Sequence, residues 1–243
     1  MGDVARAALY SLLPAAAIAL GSGVPLLYRP RGPLRSAIQH FAAGVIFAVA
    51  TVELLPDVVR DHAPYESALA FALGVALVLG LGWLAGRLGG TGAREDARTT
   101  PAALLVPVGI DLLIDGVLLG IGFAAAASVG RLLALALSLE GLSLGVVTAL
   151  TLRQAGWPEG RASAAGAALG LIIPLGATAG AAVLSGLSGH SLSLTLAFGL
   201  AALLYLVTEE LLVEAHEVPE RPWITAMFFA GFVLFLVLGM LGG

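Results

Sequence analysis

The chain has 243 residues, 59% hydrophobic and only 12% charged, with a formal net charge of −4 and a mean hydropathy of +0.99. That composition excludes an ordinary soluble domain, and the acidic balance, with twelve arginines and no lysine, offers no basic surface for nucleic acid. The lack of cysteine excludes disulfides, thiolate metal sites and cysteine nucleophiles.

A helical membrane span needs about 20 apolar residues, and eight segments qualify. In chain order they are Ala5 to Leu27, Ala37 to Val59, Ala68 to Leu88, Ala102 to Ala126, Leu132 to Leu152, Ala164 to Leu184, Leu192 to Val213 and Ile224 to Leu241. The pattern predicts an all-α polytopic membrane protein forming one transmembrane domain over residues 1–243. The first span has the outline of a cleaved signal, with Arg6 before an apolar run containing Ala15, Ala16 and Ala17. The run is too long for a signal core, and Pro14 predicts a kink in a retained helix. Within the spans, Gly116/Gly120, Gly141/Gly145, Gly166/Gly170 and Gly176/Gly180 all have the small-residue spacing of tightly packed membrane helices.

Alternate loops divide the arginines unequally. Arg29, Arg31, Arg35, Arg87, Arg94, Arg98, Arg153, Arg161 and Arg221 fall on one side, and Arg6, Arg60 and Arg131 on the other. The positive-inside rule then places both termini outside the inner (cell) membrane and makes 89–101 the main cytoplasmic loop.

Charged groups within a span cost about 2.5–3.5 kcal/mol each on insertion scales, so those present carry information. They are Glu53 in the second span, Asp111 and Asp115 in the fourth, Glu140 in the fifth, and Glu209, Glu210 and Glu214 in the seventh, with Asp57 near a boundary. No arginine lies deep in a span, so the acids need protons or a metal ion. Asp111 and Asp115 stand one helical turn apart, about 6 Å along the axis, and Asp115 and Glu140 sit near the middles of adjacent antiparallel spans. Both lie in acid-Gly-x-x-Leu-Gly segments, Asp115 to Gly120 and Glu140 to Gly145. Asp111, Asp115 and Glu140 are therefore the candidate metal ligands, with Ser138 and Ser143 as further oxygen donors.

Glu53 and Asp57, also one turn apart, are candidates for an outer access site. Glu214, His216 and Glu217 read first as a solvated interface and second as an exit relay that extends Glu209 and Glu210. His40 is expected in the same solvated setting, and His62 and His190 in outer loops are expected to meet water.

At these residues the chain resembles the ZIP (zinc and iron permease) transporters, particularly their bacterial branch, over all eight spans. The family's fourth-helix His-Asn-x-Pro-Glu-Gly falls on Asp111-Leu112-Leu113-Ile114-Asp115-Gly116, and its fifth-helix Pro-Glu-Gly on Leu139-Glu140-Gly141. Phe41 to Asp57 resembles the family's second helix, and Tyr205 to His216 its seventh. The resemblance implies a 3+2+3 arrangement with inverted repeats around helices four and five, metal bound between those two, dimers in many members, and an elevator-type movement. It also implies departures. Aspartate replaces the family's histidine at 111, and the family's second metal position is replaced by Leu112, Ala136, Leu137 and Ile173. The expectation is a single all-oxygen site for Zn²⁺, Mn²⁺, Fe²⁺ or Cd²⁺, harder than a histidine site and shifted toward Mn²⁺ or Fe²⁺ relative to Zn²⁺, although intrinsic affinities still favour zinc over manganese.

The expected function is transport of such a cation as substrate, with no resident cofactor; a non-transporting relative or a carrier of another solute is the alternative. Asp-Gly in a membrane helix also suits lipid headgroup transferases, but the Ala-Arg and the later aspartate pair of those enzymes are missing, so no enzymatic activity is expected.

Overall fold

A computed structural model of the chain describes residues 2–26, 32–88, 101–184, 186–216, 219 and 221–242. Seven helices among these residues are long and apolar enough to cross a membrane: α1 (Asp3–Leu26), α2 (Pro33–Arg60), α3 (Pro64–Leu84), α4 (Leu105–Ala125), α5 (Ala127–Gln154), α6 (Glu159–Leu184) and α7 (His190–Leu211). An eighth apolar helix, α8, covers Pro222–Gly242. No strand occurs among the described residues. The helix that contains α4 begins at Pro101 and continues unbroken through Pro107, and α3 extends to Leu88. Apart from Pro101, the 89–101 loop lies outside the described residues, as do Arg29, Arg31, Arg94, Arg98 and Glu217.

The helices sort into two groups. α4 packs along α6 and α5, and α1 runs along α5 and α6; in the other group α2 packs along α8 and α3 along α7. Small residues set these distances, because in lipid helix association depends on close van der Waals contact. Gly116 and Gly120 of α4 face Gly176 and Gly180 of α6 so closely that a Cβ on Gly116 would lie 2.4 Å from the Ile173 carbonyl oxygen. Gly141 and Gly145 receive Ile18 of α1, and Gly166 and Gly170 of α6 also pack on α1. In the second group Gly44 of α2 meets α8, where a Cβ would stand 1.9 Å from the Phe228 carbonyl oxygen, and Gly231 meets Phe41 in the reverse sense. Between the groups, Gly199 of α7 faces only the flexible side chain of Ile121.

Because the Gly44 clash would be with backbone, Gly44→Ala is expected to cost about 1–3 kcal/mol or more. A thermal melt in detergent should show it, with Gly80→Ala, where nothing lies within 4 Å, leaving the melting temperature unlowered.

Two irregularities recur at matching places. α1 is interrupted at Ser11, shortly before Pro14, and α6 at Gly170 and Leu171, before Pro174. Each proline lacks an N–H and crowds the preceding turn, which accounts for both breaks. α2 and α7 each contain a six-residue π-helical segment, Val49–Leu54 and Leu206–Leu211. In both, a threonine hydroxyl donates to the carbonyl four residues back, Thr51 to Phe47 (2.7 Å) and Thr208 to Leu204 (2.9 Å). The two segments share one pattern, Thr51-Val52-Glu53-Leu54-Leu55 and Thr208-Glu209-Glu210-Leu211-Leu212. π-bulges redirect the side chains that follow them and cluster at functional sites.

Candidate metal centre

The acids of α4 and α5 converge. Asp111, Asp115 and Glu140 each present a carboxylate oxygen within 4.8 Å of the others. Helical geometry explains this: Asp111 and Asp115 are neighbours on one face of α4, and α5 packs antiparallel to α4 with Glu140 at the same level. The glycine after each acid leaves no side chain beside it, so Gly116 rests on α6 and Gly141 on α1 while the acids turn inward.

Asp115 (2% exposed) and Glu140 (6% exposed) are buried, and Asp111 is partly exposed at the mouth. Oδ1 of Asp115 is buried with no hydrogen-bond partner among the described residues, and so is Oγ of Ser143, one turn along α5 from Glu140. Ser138, by contrast, gives its hydroxyl to the Ala134 carbonyl of its own helix (2.5 Å). Arg6, Arg60 and Arg153 pair with acids outside the triad, namely Asp3, Asp57 and Glu159. Clustered carboxylate oxygens, one of them on Asp115 without a hydrogen-bond partner among the described residues, suit a hard or borderline divalent cation.

Two residues from the second helix group complete the surroundings. Gln39 of α2 and Glu210 of α7 line, with Asp111, Glu140, Leu144 and Leu211, a cavity of about 70 Å³. Glu210 lies within hydrogen-bonding reach of Asp111. Past Asp111 and Glu210 a wider cavity of about 370 Å³ extends along Val78, Gly82 and Gly86 of α3 and Pro107 of α4. It therefore opens toward the bundle end where α3 finishes and α4 begins, the rim that carries Arg35, Arg87, Arg153 and Arg221. Gln39 was not singled out in the sequence; a polar residue near the start of a span has no local signal to distinguish it. Glu210 had one, the Thr-x-Glu-Leu-Leu repeat.

The remaining candidates separate. Glu53 is half-buried in the α2 π-segment, away from the triad, while Asp57 makes an exposed ion pair with Arg60 (2.9 Å). Glu209 is exposed, and the side chain of Glu214 lies outside the described ones. Leu112, Ala136, Leu137 and Ile173 are all buried at 0–1% exposure.

Two histidine expectations are corrected. His40 is buried, not solvated, because α2 is covered there by the end of α7. His190, expected in water alone, bonds Asp61 through Nδ1 (2.5 Å) and Glu66 through Nε2. The turn that presents Asp61 has His62 at φ +53°, a left-handed conformation that histidine tolerates better than most residues. Since carboxylates only accept, both bonds form together only when the ring carries both protons. This clasp is held at low pH and loses a bond as pH rises through the ring's titration. The stability difference between wild type and His190→Gln is therefore expected to shrink between about pH 5 and about pH 8; thermal melts across that range check it.

Compared with known proteins, the chain matches no protein-family model and no curated protein.

Proposed function

We propose that the protein carries a divalent transition metal cation across a membrane, as a relative of the ZIP transporters, through a midplane site of Asp111, Asp115 and Glu140. The observation that carries this reading is the convergence of three carboxylates within 4.8 Å in apolar helices, two of the three residues buried. A cavity reaching the site from one rim supports a path for the ion, since access from one side at a time is what a carrier requires.

The 3+2+3 arrangement with inverted repeats belongs to the same proposal. It is supported by the breaks before Pro14 in α1 and Pro174 in α6, and by the π-segments of α2 and α7. The first and second helices of the two outer triplets thus carry matching irregularities. An elevator-type movement of α1, α4, α5 and α6 against α2, α3, α7 and α8 is favoured by where the backbone-to-backbone glycine contacts lie. They run inside each group, and the Gly199 contact between groups is with a side chain.

Uptake of Zn²⁺, Mn²⁺, Fe²⁺ and Cd²⁺ into proteoliposomes tests the reading: flux of at least one metal is expected, and folded wild-type protein that moves none would sink it. The apolar filling around Leu112, Ala136, Leu137 and Ile173 favours one ion rather than two; it also sustains the second reading, a ZIP-like protein that no longer transports. Three carboxylates around one divalent ion leave a formal −1, which one proton neutralises, so metal movement is expected to run with counter-movement of protons. Flux insensitive to pH, with no proton signal from an entrapped dye, would contradict that coupling.

A further inference from the structure

We propose that His190 and Glu66 form a second cation site, at the rim opposite the arginine-rich one, that takes a borderline divalent transition ion such as Zn²⁺, Co²⁺ or Cu²⁺. Three elements meet there. His190 opens α7, Glu66 lies in the first turn of α3, and Asp61 follows the end of α2. The ring stands between the two acids, with Nδ1 on Asp61 and Nε2 on Glu66. A neutral imidazole carries one N–H for two carboxylates that only accept, so one nitrogen then turns its lone pair toward an anionic oxygen. That contact is repulsive unless a cation lies in it. The Asp61 side chain is 19% exposed against 62% for Glu66, so the less solvated bond, from Nδ1–H to Asp61, is the stronger and keeps the proton. The lone pair of Nε2 therefore faces Glu66.

A carboxylate that holds one ring N–H while the other nitrogen takes a metal is the usual way in which proteins fix the tautomer of a ligating histidine and raise its basicity. Asp61 is placed for that orienting role, with Nε2 of His190 and a Glu66 oxygen as the ligands. Zinc bonds of about 2.0–2.2 Å to nitrogen and oxygen set those two atoms about 3.3 Å apart at a tetrahedral angle. The ring and Glu66 stand closer than that, so Glu66 withdraws to admit the ion, a movement its exposed side chain permits. The remaining coordination positions face solvent and take water. A nitrogen ligand here and oxygen ligands at the triad give two sites of different softness. Along α2 this site stands eight residues, roughly 12 Å of helix, beyond Glu53. It is therefore placed to capture an ion ahead of the membrane-embedded acids. That the captured ion is cargo rests on the proposed transport; binding at His190 does not.

The probe is Zn²⁺ added in excess to the purified full chain carrying isotope-labelled histidine, read by NMR of the ring nitrogens at about pH 8, where imidazoles are largely neutral. The His190 signals are identified by their absence from His190→Gln. In wild type, Nε2 of His190 is expected to take the shift of a metal-bound nitrogen while Nδ1 keeps its proton. Glu66→Gln should weaken zinc at this ring by about 10-fold or more, and Asp61→Ala by about 10–100-fold; size-exclusion profiles check folding. Ring nitrogens of wild type unmoved by excess zinc, zinc on Nδ1 instead of Nε2, or an undiminished response in Glu66→Gln overturns the site. Asp115→Asn is expected to abolish metal flux and keep the His190 response. Failure of the transport reading and failure of this site therefore register in different measurements.

Discussion

Replacing Asp115 by Asn is expected to lower metal flux by more than about 100-fold in proteoliposomes while leaving the protein folded. Changes to groups that merely orient a ligand cost roughly 10–100-fold, and the proposed site makes Asp115 a ligand itself. Its carboxyl is 2% exposed, with one oxygen unsatisfied among the described residues and the Asp111 and Glu140 oxygens within 4.8 Å. Asparagine keeps the shape and removes the charge, so packing against Gly116 and α6 persists and the loss reports on the ion. Glu140→Gln should match it. Asp111→Asn should be milder, because Asp111 is partly exposed at the mouth with Glu210 beside it. Equal flux in wild type and Asp115→Asn, with metal bound to the same stoichiometry, would remove the triad from the transport path.

The helices of this fold were legible because membrane solvent imposes a length and a composition on each span, and those survive in a single sequence. The triad was legible for a related reason: an acid in lipid has few acceptable explanations, and one-turn spacing with two acid-Gly repeats put Asp111, Asp115 and Glu140 on facing surfaces. What failed was what depends on departures from regular helix. The π-segments of α2 and α7, Val49–Leu54 and Leu206–Leu211, have no counterpart in a count of regular helical turns. Contacts between distant parts of the chain were equally hidden. Nothing local to His40 says that the end of the seventh helix will pack on its helix, and nothing local to His190 says that Asp61 and Glu66 will hold it.

Glu53→Gln and Glu210→Gln are expected to impair transport by about 10-fold or more each, but on opposite sides. The two glutamates occupy the same place in the Thr-x-Glu-Leu-Leu repeat, in the π-segments of α2 and α7, which would be the middle members of the outer triplets in the proposed 3+2+3 arrangement. Glu210 lies rimward of the triad beside Asp111, at the mouth of the cavity that opens to the arginine-rich rim. Glu53 stands at the corresponding depth from the other rim, where α2 ends at Arg60. If the two triplets are inverted copies, the alternate state exchanges their roles, and Glu53 then faces the acids when the path opens to its own side. Metal offered at the Glu53 rim should accordingly show a raised KM in Glu53→Gln with little change in maximal rate, and a lowered maximal rate in Glu210→Gln, where release is slowed. Vesicles of reversed orientation should interchange the two phenotypes. The same effect from both variants in both orientations would mean that the Thr-x-Glu-Leu-Leu repeat shapes the helices alone and that the ion passes neither glutamate.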